Sequence, residues 1–318
     1  MKVLANDGIA KSGQTKLEEN GFTVVTETVA QENLVDEINK QKYEVLLVRS
    51  ATKVRKDIID NCPSLKMIGR GGVGMDNIDV EYAREKGIVV FNTPAASSLA
   101  VAELVTAHLF SIARSVYDAN RQMPIKGNTA FKNLKKQYGK GIELRGKTLG
   151  IIGFGRIGQY TAKYALGLGM QVIAFDPFID KATITVQVAN QTVEVEISTS
   201  TLDNLLSKSD FITLHVPMPV DGKALISTEE FNKMKDGVRI VNAARGGVID
   251  EDALLKAIEN QKVSAAALDV FVNEPTPRQD ILTNPKIALT PHIGAATVEA
   301  QDRIGTELAD NIINFYKK

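Results

Sequence analysis

Three polar residues stand just beyond three apolar runs in the second half of the chain: Arg245 in "VRIVNAARGG", Glu274 in "AALDVFVNEP" and His292 in "KIALTPHIGAAT". One polar residue past a strand-like run is ordinary; an arginine, a glutamate and a histidine past three such runs form a chemical set. They suit the oxidation of an alcohol beside a carboxylate, which needs a base for the hydroxyl proton, a fixed cation for the carboxylate and an acceptor for the hydride. In that scheme His292 is the base, and Glu274 orients it and favours its protonated form. Arg245 offers a planar fork to a carboxylate or a carbonyl oxygen. The other two histidines read differently. His108 lies among Ala107, Leu109 and Phe110 at helical spacing, as a packed residue does, and His215 ends the apolar run "DFITLHVP".

The hydride acceptor has a signature of its own. "LGIIGFGRIGQYTAKYALGLGMQVIAFDP" carries Gly153, Gly155 and Gly158 in G-x-G-x-x-G register directly after an apolar strand, and a second strand then ends in Asp176. The acidic residue falls about twenty residues past the glycines, where the dinucleotide fingerprint requires it. Gly153 permits the tight turn, Gly155 lets the backbone approach a pyrophosphate, and Gly158 lets the helix pack closely, its N-terminus supplying unpaired N–H groups. Asp176 would bond the adenosine ribose hydroxyls and repel a 2′-phosphate, so the expected cofactor is NAD rather than NADP; Arg156 is the one neighbour that tempers this.

Such residues converge only if strand ends converge. The chain has 318 residues, a length that suggests two domains, each able to bury a core. Lys plus Arg and Asp plus Glu both total 38, so no net field points to nucleic acid or to an anionic membrane. The opening apolar patch is broken by Asn6 and Asp7, no run reaches bilayer length, and no export signal is visible. Cys62 is the only cysteine, which rules out an internal disulfide or a thiolate metal cluster and fits a reducing cytosol; no metal is expected.

Apolar β-branched runs alternate with helical-period segments from the start, the pattern of βαβ units in an α/β fold. "KVLAN", "FTVVTE", "YEVLLVR", "LKMIGR" and "IVVFNTP" read as five strands with helices between them. "SSLAVAELVTAHLFSIARSVYDANRQ" reads as one long helix, and the Lys- and Gly-rich "KGNTAFKNLKKQYGKGIELRGK" as a connecting loop. Six further strands follow, in "KTLGIIGFG", "MQVIAFDP", "DFITLHVP", "VRIVNAAR", "VSAAALDVF" and "KIALTP". Between the second and third, "TITVQVANQTVEVEI" alternates strictly and reads as an inserted β-hairpin.

With "GRGGVGMDNID", "NTPAASSLAVAEL", "GKTLGIIGFGRIG", "VNAARGGVIDEDAL", "AALDVFVNEP" and "PHIGAATVEAQDRIG" in place, the chain resembles the D-2-hydroxyacid dehydrogenases over nearly its whole length. The forms "RSATKV" and "HIGAAT" favour the phosphoglycerate branch of that family. The resemblance implies two doubly wound parallel-sheet domains. One is a flavodoxin-like substrate domain (1–98 plus 291–318) and the other a Rossmann NAD-binding domain (99–290), with the cleft between them. It implies roles for Arg245 in substrate binding and for Glu274 with His292 as the acid/base pair. Around NAD it implies Arg156 and Ile157 at the pyrophosphate and Val216 and Pro217 near the adenosine. At the nicotinamide end it implies the backbone of Ala243, Ala244 and His292 with the carboxylate of Asp269, beside the small residues Gly294 and Ala295. In the substrate domain it implies that Gly72, Val73 and Gly74 meet the substrate carboxylate, with Val73 also near the cofactor, and that Arg49, Ser50 and Arg70 face a phosphate. A homodimer through the NAD-binding domain is also implied.

The expected activity is NAD-dependent oxidation of 3-phosphoglycerate to 3-phosphohydroxypyruvate in serine synthesis. A hydroxypyruvate or glyoxylate reductase, which needs no phosphate site, is the enzymatic rival, and a corepressor-like NAD-sensing scaffold the non-enzymatic one. The sequence ends at Lys318, where longer relatives add regulatory domains, so serine feedback through such a domain is not expected. The inserted hairpin departs from the family's usual link after Asp176.

Overall fold

A computed structural model describes residues 1–219 and 221–317. The chain forms two compact units, Met1–Ser98 with Ala295–Lys318, and Leu99–Gly294. The return to the first unit falls a few residues later than the sequence suggests. The reason is local: the N–H groups of Ile293 and Gly294 are bonded to Asp269, which ties the "PHIG" turn to the second unit.

The first unit alternates β1 (Lys2–Ala5), α1 (Lys11–Glu19), β2 (Thr23–Val25), α2 (Leu34–Gln41), β3 (Val45–Val48), α3 (Lys56–Asn61), β4 (Met67–Arg70), α4 (Val80–Glu85) and β5 (Val89–Asn92). All five strands run parallel in the order β2-β1-β3-β4-β5. Every residue of β3 is buried, as a strand covered on both faces must be, which is why it reads as an unbroken apolar run. Leu46, Ile38 and Ile58 pack on one face; Leu47 and Leu17 pack on the other with Ile304, Leu308 and Ile312 of the C-terminal helix. A Cβ on Gly13 of α1 would run into the backbone of Gly305, so these two helices meet main chain to main chain. Cys62 ends α3, and burial pushes its thiol up to about 11, as suits an inert core residue.

The second unit opens on α5 (Ser98–Arg114) and α6 (Val116–Tyr138). It continues through β6 (Thr148–Ile152), α7 (Arg156–Gly167), β7 (Gln171–Phe175), β8 (Lys181–Val188), β9 (Gln191–Ser198), α8 (Leu202–Lys208), β10 (Phe211–Leu214), α9 (Thr228–Lys233), β11 (Val238–Asn242), α10 (Glu251–Glu259), β12 (Val263–Leu268), α11 (Gln279–Leu282) and β13 (Ile287–Leu289). α12 (Val298–Tyr316) belongs to the first unit. Six strands form a parallel sheet in the order β13-β12-β11-β10-β6-β7. The chain runs outward from β6 to β7 on one side and to β10 on the other, so the switch point lies at the carboxyl ends of β6 and β10. Past β7, a parallel bridge of Ala174 with Thr199 continues the sheet.

The hairpin is present, with Val186 opposite Val193 and Ile184 opposite Val195. Ile184 and Ile197 at its base join the core, while Val188 and Val193 at its tip are exposed.

Two expectations on the connecting helices need correction. The single helix through residue 122 is broken at Ser115, whose φ of 51° is left-handed, and α5 and α6 meet at a 61° bend. The Lys-rich segment is helical as far as Tyr138, since Lys, Gln and Leu are good helix formers and a single Gly127 does not outweigh them. Ala130 leaves helical geometry, and the Tyr138 hydroxyl donates to Asp118 Oδ2 at 2.7 Å. A straight helix would hold those residues about 30 Å apart, so α6 folds back on itself at Ala130. Among the described residues no single helix is long and apolar enough to cross a membrane.

Candidate functional site

Every candidate residue of the second unit lies at the carboxyl edge of its sheet, because parallel strands deliver their following loops to one side. Each fingerprint glycine has its own steric reason. Gly153 has φ 93°, and a Cβ there would stand 2.5 Å from the His215 carbonyl oxygen across the switch point. A Cβ on Gly158 would run into the Gly153 carbonyl. A Cβ on Gly155 would meet nothing within 4 Å, so the backbone is bare on an open side just where α7 begins. That cradle fits a pyrophosphate: two glycines close the turn and the third leaves room in front of the helix N-terminus. Arg156 is exposed beside it and Ile157 half-buried. Asp176 follows β7, its Oδ2 accepting from the Phe154 N–H at 2.7 Å and its Oδ1 from Phe178 N–H at 2.8 Å. The first bond ties the acidic residue to the glycine turn, and each oxygen keeps a second lone pair for a ribose hydroxyl.

The acid/base elements come together in the same unit. His292 follows β13 at a left-handed φ of 54°, and its Nδ1 lies 2.7 Å from Glu274 Oε2. Glu274 Oε1 accepts from the Phe271 N–H at 2.8 Å, so both carboxylate oxygens are engaged. Burial pushes the Glu274 carboxyl up, but its bonds with His292 and Phe271 and the nearby Arg245 charge outweigh this and hold it below the usual range. Arg245 therefore stands within electrostatic reach of the pair, its NH1 donating to the Ala244 carbonyl at 2.6 Å. The turn that carries it is shaped by buried Asn242, whose Oδ1 accepts from Ala244 N–H and whose Nδ2 donates to the Arg245 carbonyl. A Cβ on Gly246 would run into the Phe271 carbonyl, so the arginine and glutamate loops lie main chain against main chain. Ala243 is half-buried and Ala244 buried on this turn. Asn242 and Gly246 were not singled out from the sequence; a buried-type amide closing an apolar strand was the available signal.

Asp269 is 1% exposed. Its Oδ1 accepts from the Thr290 hydroxyl at 2.6 Å and from Ile293 N–H, and its Oδ2 from Gly294 N–H, both at 2.9 Å. The visible work of this carboxylate is thus to clamp the turn that carries His292. Gly294 must be small for this, since a Cβ would stand 3.2 Å from Asp269 Oδ2. His215 is half-buried beside the cradle. Its Nε2 faces the hydroxyls of Thr213 and Thr161 at 3.2 and 3.4 Å, and its Nδ1 is buried without a partner among the described residues. Burial pushes its ring down to about 3. Val216 is half-buried and Pro217 exposed just after it.

In the first unit, Arg49 follows β3 and Arg70 ends β4, on neighbouring strands. Asp7 accepts from the Arg49 and Thr52 N–H groups and so fixes the loop that holds exposed Ser50. The Arg70 guanidinium folds over Gly72, filling the space a Cβ would take. The "GRGGVG" loop is pinned by Thr93, whose hydroxyl accepts from Gly72 N–H, and by Asn92, whose amide donates to the Val73 carbonyl. Val73 is exposed and Gly74 half-exposed at that edge, whereas Ala295 begins the return to this unit.

The segment 106–294 matches the model of the D-isomer-specific 2-hydroxyacid dehydrogenase NAD-binding domain. The chain belongs to the D-isomer-specific 2-hydroxyacid dehydrogenase family. A D-3-phosphoglycerate dehydrogenase of Archaeoglobus fulgidus is 41% identical over 100% of this chain and 58% of its own length. A hydroxypyruvate reductase of Thermotoga maritima is 44% identical over 98% of this chain and 97% of its own. The chain thus spans about three-fifths of the former relative and nearly all of the latter. Among solved structures, a D-lactate dehydrogenase of Aquifex aeolicus complexed with NAD and lactic acid superposes with a TM-score of 0.77 at 28% identity, covering 100% of this chain and 96% of that one. The matched segment takes in β6, the glycine cradle and Asp176.

Two outcomes follow from the cradle and the neighbouring His215. Gly155→Ala should leave the melting temperature unchanged yet weaken NAD binding roughly tenfold or more in calorimetric titration, because its methyl projects into open space where the pyrophosphate must approach. Unaltered affinity would remove the cradle from the binding site. His215 must stay neutral in the fold, whereas the unfolded chain protonates it below about pH 6.5. Its folded pKa is depressed to about 3, so the unfolded state binds more protons between those values and stability falls as pH drops through that window. The loss is at most ~1.4 kcal/mol per pH unit. His215→Gln should flatten the fall in melting temperature between neutral pH and about pH 4; parallel curves for both proteins would exclude the effect.

Proposed function

We propose that the protein is an NAD-dependent D-2-hydroxyacid dehydrogenase that oxidises 3-phosphoglycerate to 3-phosphohydroxypyruvate. The observation that carries the reading is the 2.7 Å pairing of His292 Nδ1 with Glu274 Oε2 on the sheet edge that also bears the NAD cradle. With the Nδ1 proton donated to Glu274, Nε2 keeps the lone pair that takes the substrate hydroxyl proton. The Glu274 carboxylate then stabilises the imidazolium so formed, and its depressed pKa keeps it charged for that purpose. Arg245 binds the carboxylate or the developing carbonyl oxygen through its fork. NAD, held by Gly155, Arg156, Ile157 and Asp176, with Val216, Pro217, Ala243, Ala244, Gly294 and Ala295 around it, supplies the hydride acceptor when bound. The first unit offers anion donors of its own: N–H groups of the Gly72–Gly74 turn for a carboxylate, and Arg49, Ser50 and Arg70 for a phosphate.

A second reading, hydroxypyruvate or glyoxylate reduction, is favoured by the match over nearly the full length of the Thermotoga maritima hydroxypyruvate reductase. A substrate panel followed at the NADH absorbance separates the two. Phosphoglycerate oxidation, reduced strongly by Arg49→Ala, supports the first; a preference for unphosphorylated acids, indifferent to Arg49→Ala, supports the second. No turnover with any acid would leave the NAD-sensing scaffold. His292→Ala should cut kcat by roughly 10²- to 10⁴-fold while NAD still binds, the range for a lost general base. Wild-type turnover in that variant would end the acid/base assignment.

A homodimer through the second unit completes the proposal. α6 exposes Val116, Met123, Ile125 and Phe131, with Ile125 70% accessible, a density of apolar surface that marks an interface. Ile125→Glu should convert a dimer to a monomer in light scattering; a wild-type chain already monomeric would refute the interface.

A further inference from the structure

His108, the α5 residue that sequence reasoning sets aside as packing, lies at the head of a buried hydrogen-bond chain. It is 5% exposed, and its Nε2 stands 3.0 Å from the Thr290 hydroxyl oxygen, which stands 2.6 Å from Asp269 Oδ1. Direction along this chain is fixed by proton counting. The Asp269 carboxylate is an acceptor that already takes N–H bonds from Ile293 and Gly294, so the single Thr290 hydroxyl proton goes to it. The Thr290 oxygen then has only lone pairs to offer His108, and Nε2 must carry the ring proton. Burial lowers the pKa of the ring, partly offset by the Asp269 charge, which suits a neutral donor.

We propose that His108 is a positioning residue for His292: as the Nε2–H tautomer it donates to Thr290, which locks the Asp269 clamp on the Ile293–Gly294 turn. The geometry carries this in three links. The two clamped N–H groups immediately follow His292, whose φ of 54° is held only if the turn is held. Thr290 both precedes that turn and accepts the His292 N–H on its carbonyl at 3.1 Å, so its rotamer and the turn are coupled. Bonds in series inside a low-dielectric core also polarise one another, so a fixed donor at the head strengthens the bond at the carboxylate. Without a donor at position 108 the Thr290 oxygen loses the hydrogen bond that fixes its rotamer, and the clamp loosens. His108 touches neither substrate nor cofactor in this scheme and acts through Thr290 and Asp269.

The inference rests on reading His292 as the acid/base, and two readouts keep the two apart. In full-length protein with ¹⁵N-labelled histidine, the ring shifts of His108 should report the neutral Nε2–H tautomer, and an Nδ1–H tautomer overturns the proposal whatever His292 does. In steady-state assays His108→Leu should lower kcat about tenfold, the effect of one lost hydrogen bond to a charged network, with KM unchanged. His108→Gln, which keeps an N–H donor at similar reach, should recover most of that loss. Wild-type kcat in His108→Leu, or equal losses in the Leu and Gln variants, would overturn it. Should the leucine variant unfold, Thr290→Val against Thr290→Ser carries the same comparison, and only the hydroxyl-bearing serine should retain turnover. A purely structural role would lower the melting temperature and leave kcat alone.

Discussion

The Asp269 carboxylate is the constraint on which the proposed chemistry depends. It follows β12, next to the outermost strand β13, and binds that strand's turn through two N–H groups and a hydroxyl. A carboxylate at 1% exposure is costly unless its lone pairs are filled, and here the filling groups are the ones that must be held still. Desolvation, which would otherwise penalise the site, thus enforces its geometry. His292, although itself exposed, inherits its position from a buried group.

The same logic of close approach recurs where main chains meet. Gly246 admits the Phe271 carbonyl and so brings the arginine and glutamate loops together; Gly153 admits the His215 carbonyl at the switch point. Each removes one side chain so that two loops from neighbouring strands can share a wall. Gly155 is different: a Cβ there would meet nothing within 4 Å, and the main chain is left bare where α7 begins. Charge follows suit: Glu274 is kept anionic by His292, a backbone N–H and Arg245 against the upward push of burial.

What could be read from residues alone was whatever depends on local pattern. The eleven strands of the two parallel sheets announce themselves as apolar runs because both faces of each sheet are covered, and the hairpin does so by strict alternation. The glycine register with Asp176, and the triplet of Arg245, Glu274 and His292, were legible because parallel topology obliges strand ends to share an edge. The α5–α6 region was misread for the opposite reason. Its bends at Ser115 and Ala130 answer to packing and to a bond between Asp118 and Tyr138, which no local periodicity encodes.

The sequence by itself therefore determined the α/β class, the strand inventory, the family and the chemical types at the site. Only the tertiary structure decided which of those types touch. It enclosed the ring of half-buried His215, which drives that ring neutral, and it turned Asp269 inward as a clamp. It also joined His108 to Thr290 across 182 positions of chain. The physical reason is that hydrogen-bond partners are chosen by distance and by desolvation, and both are properties of packed loops rather than of spacing along a strand or helix.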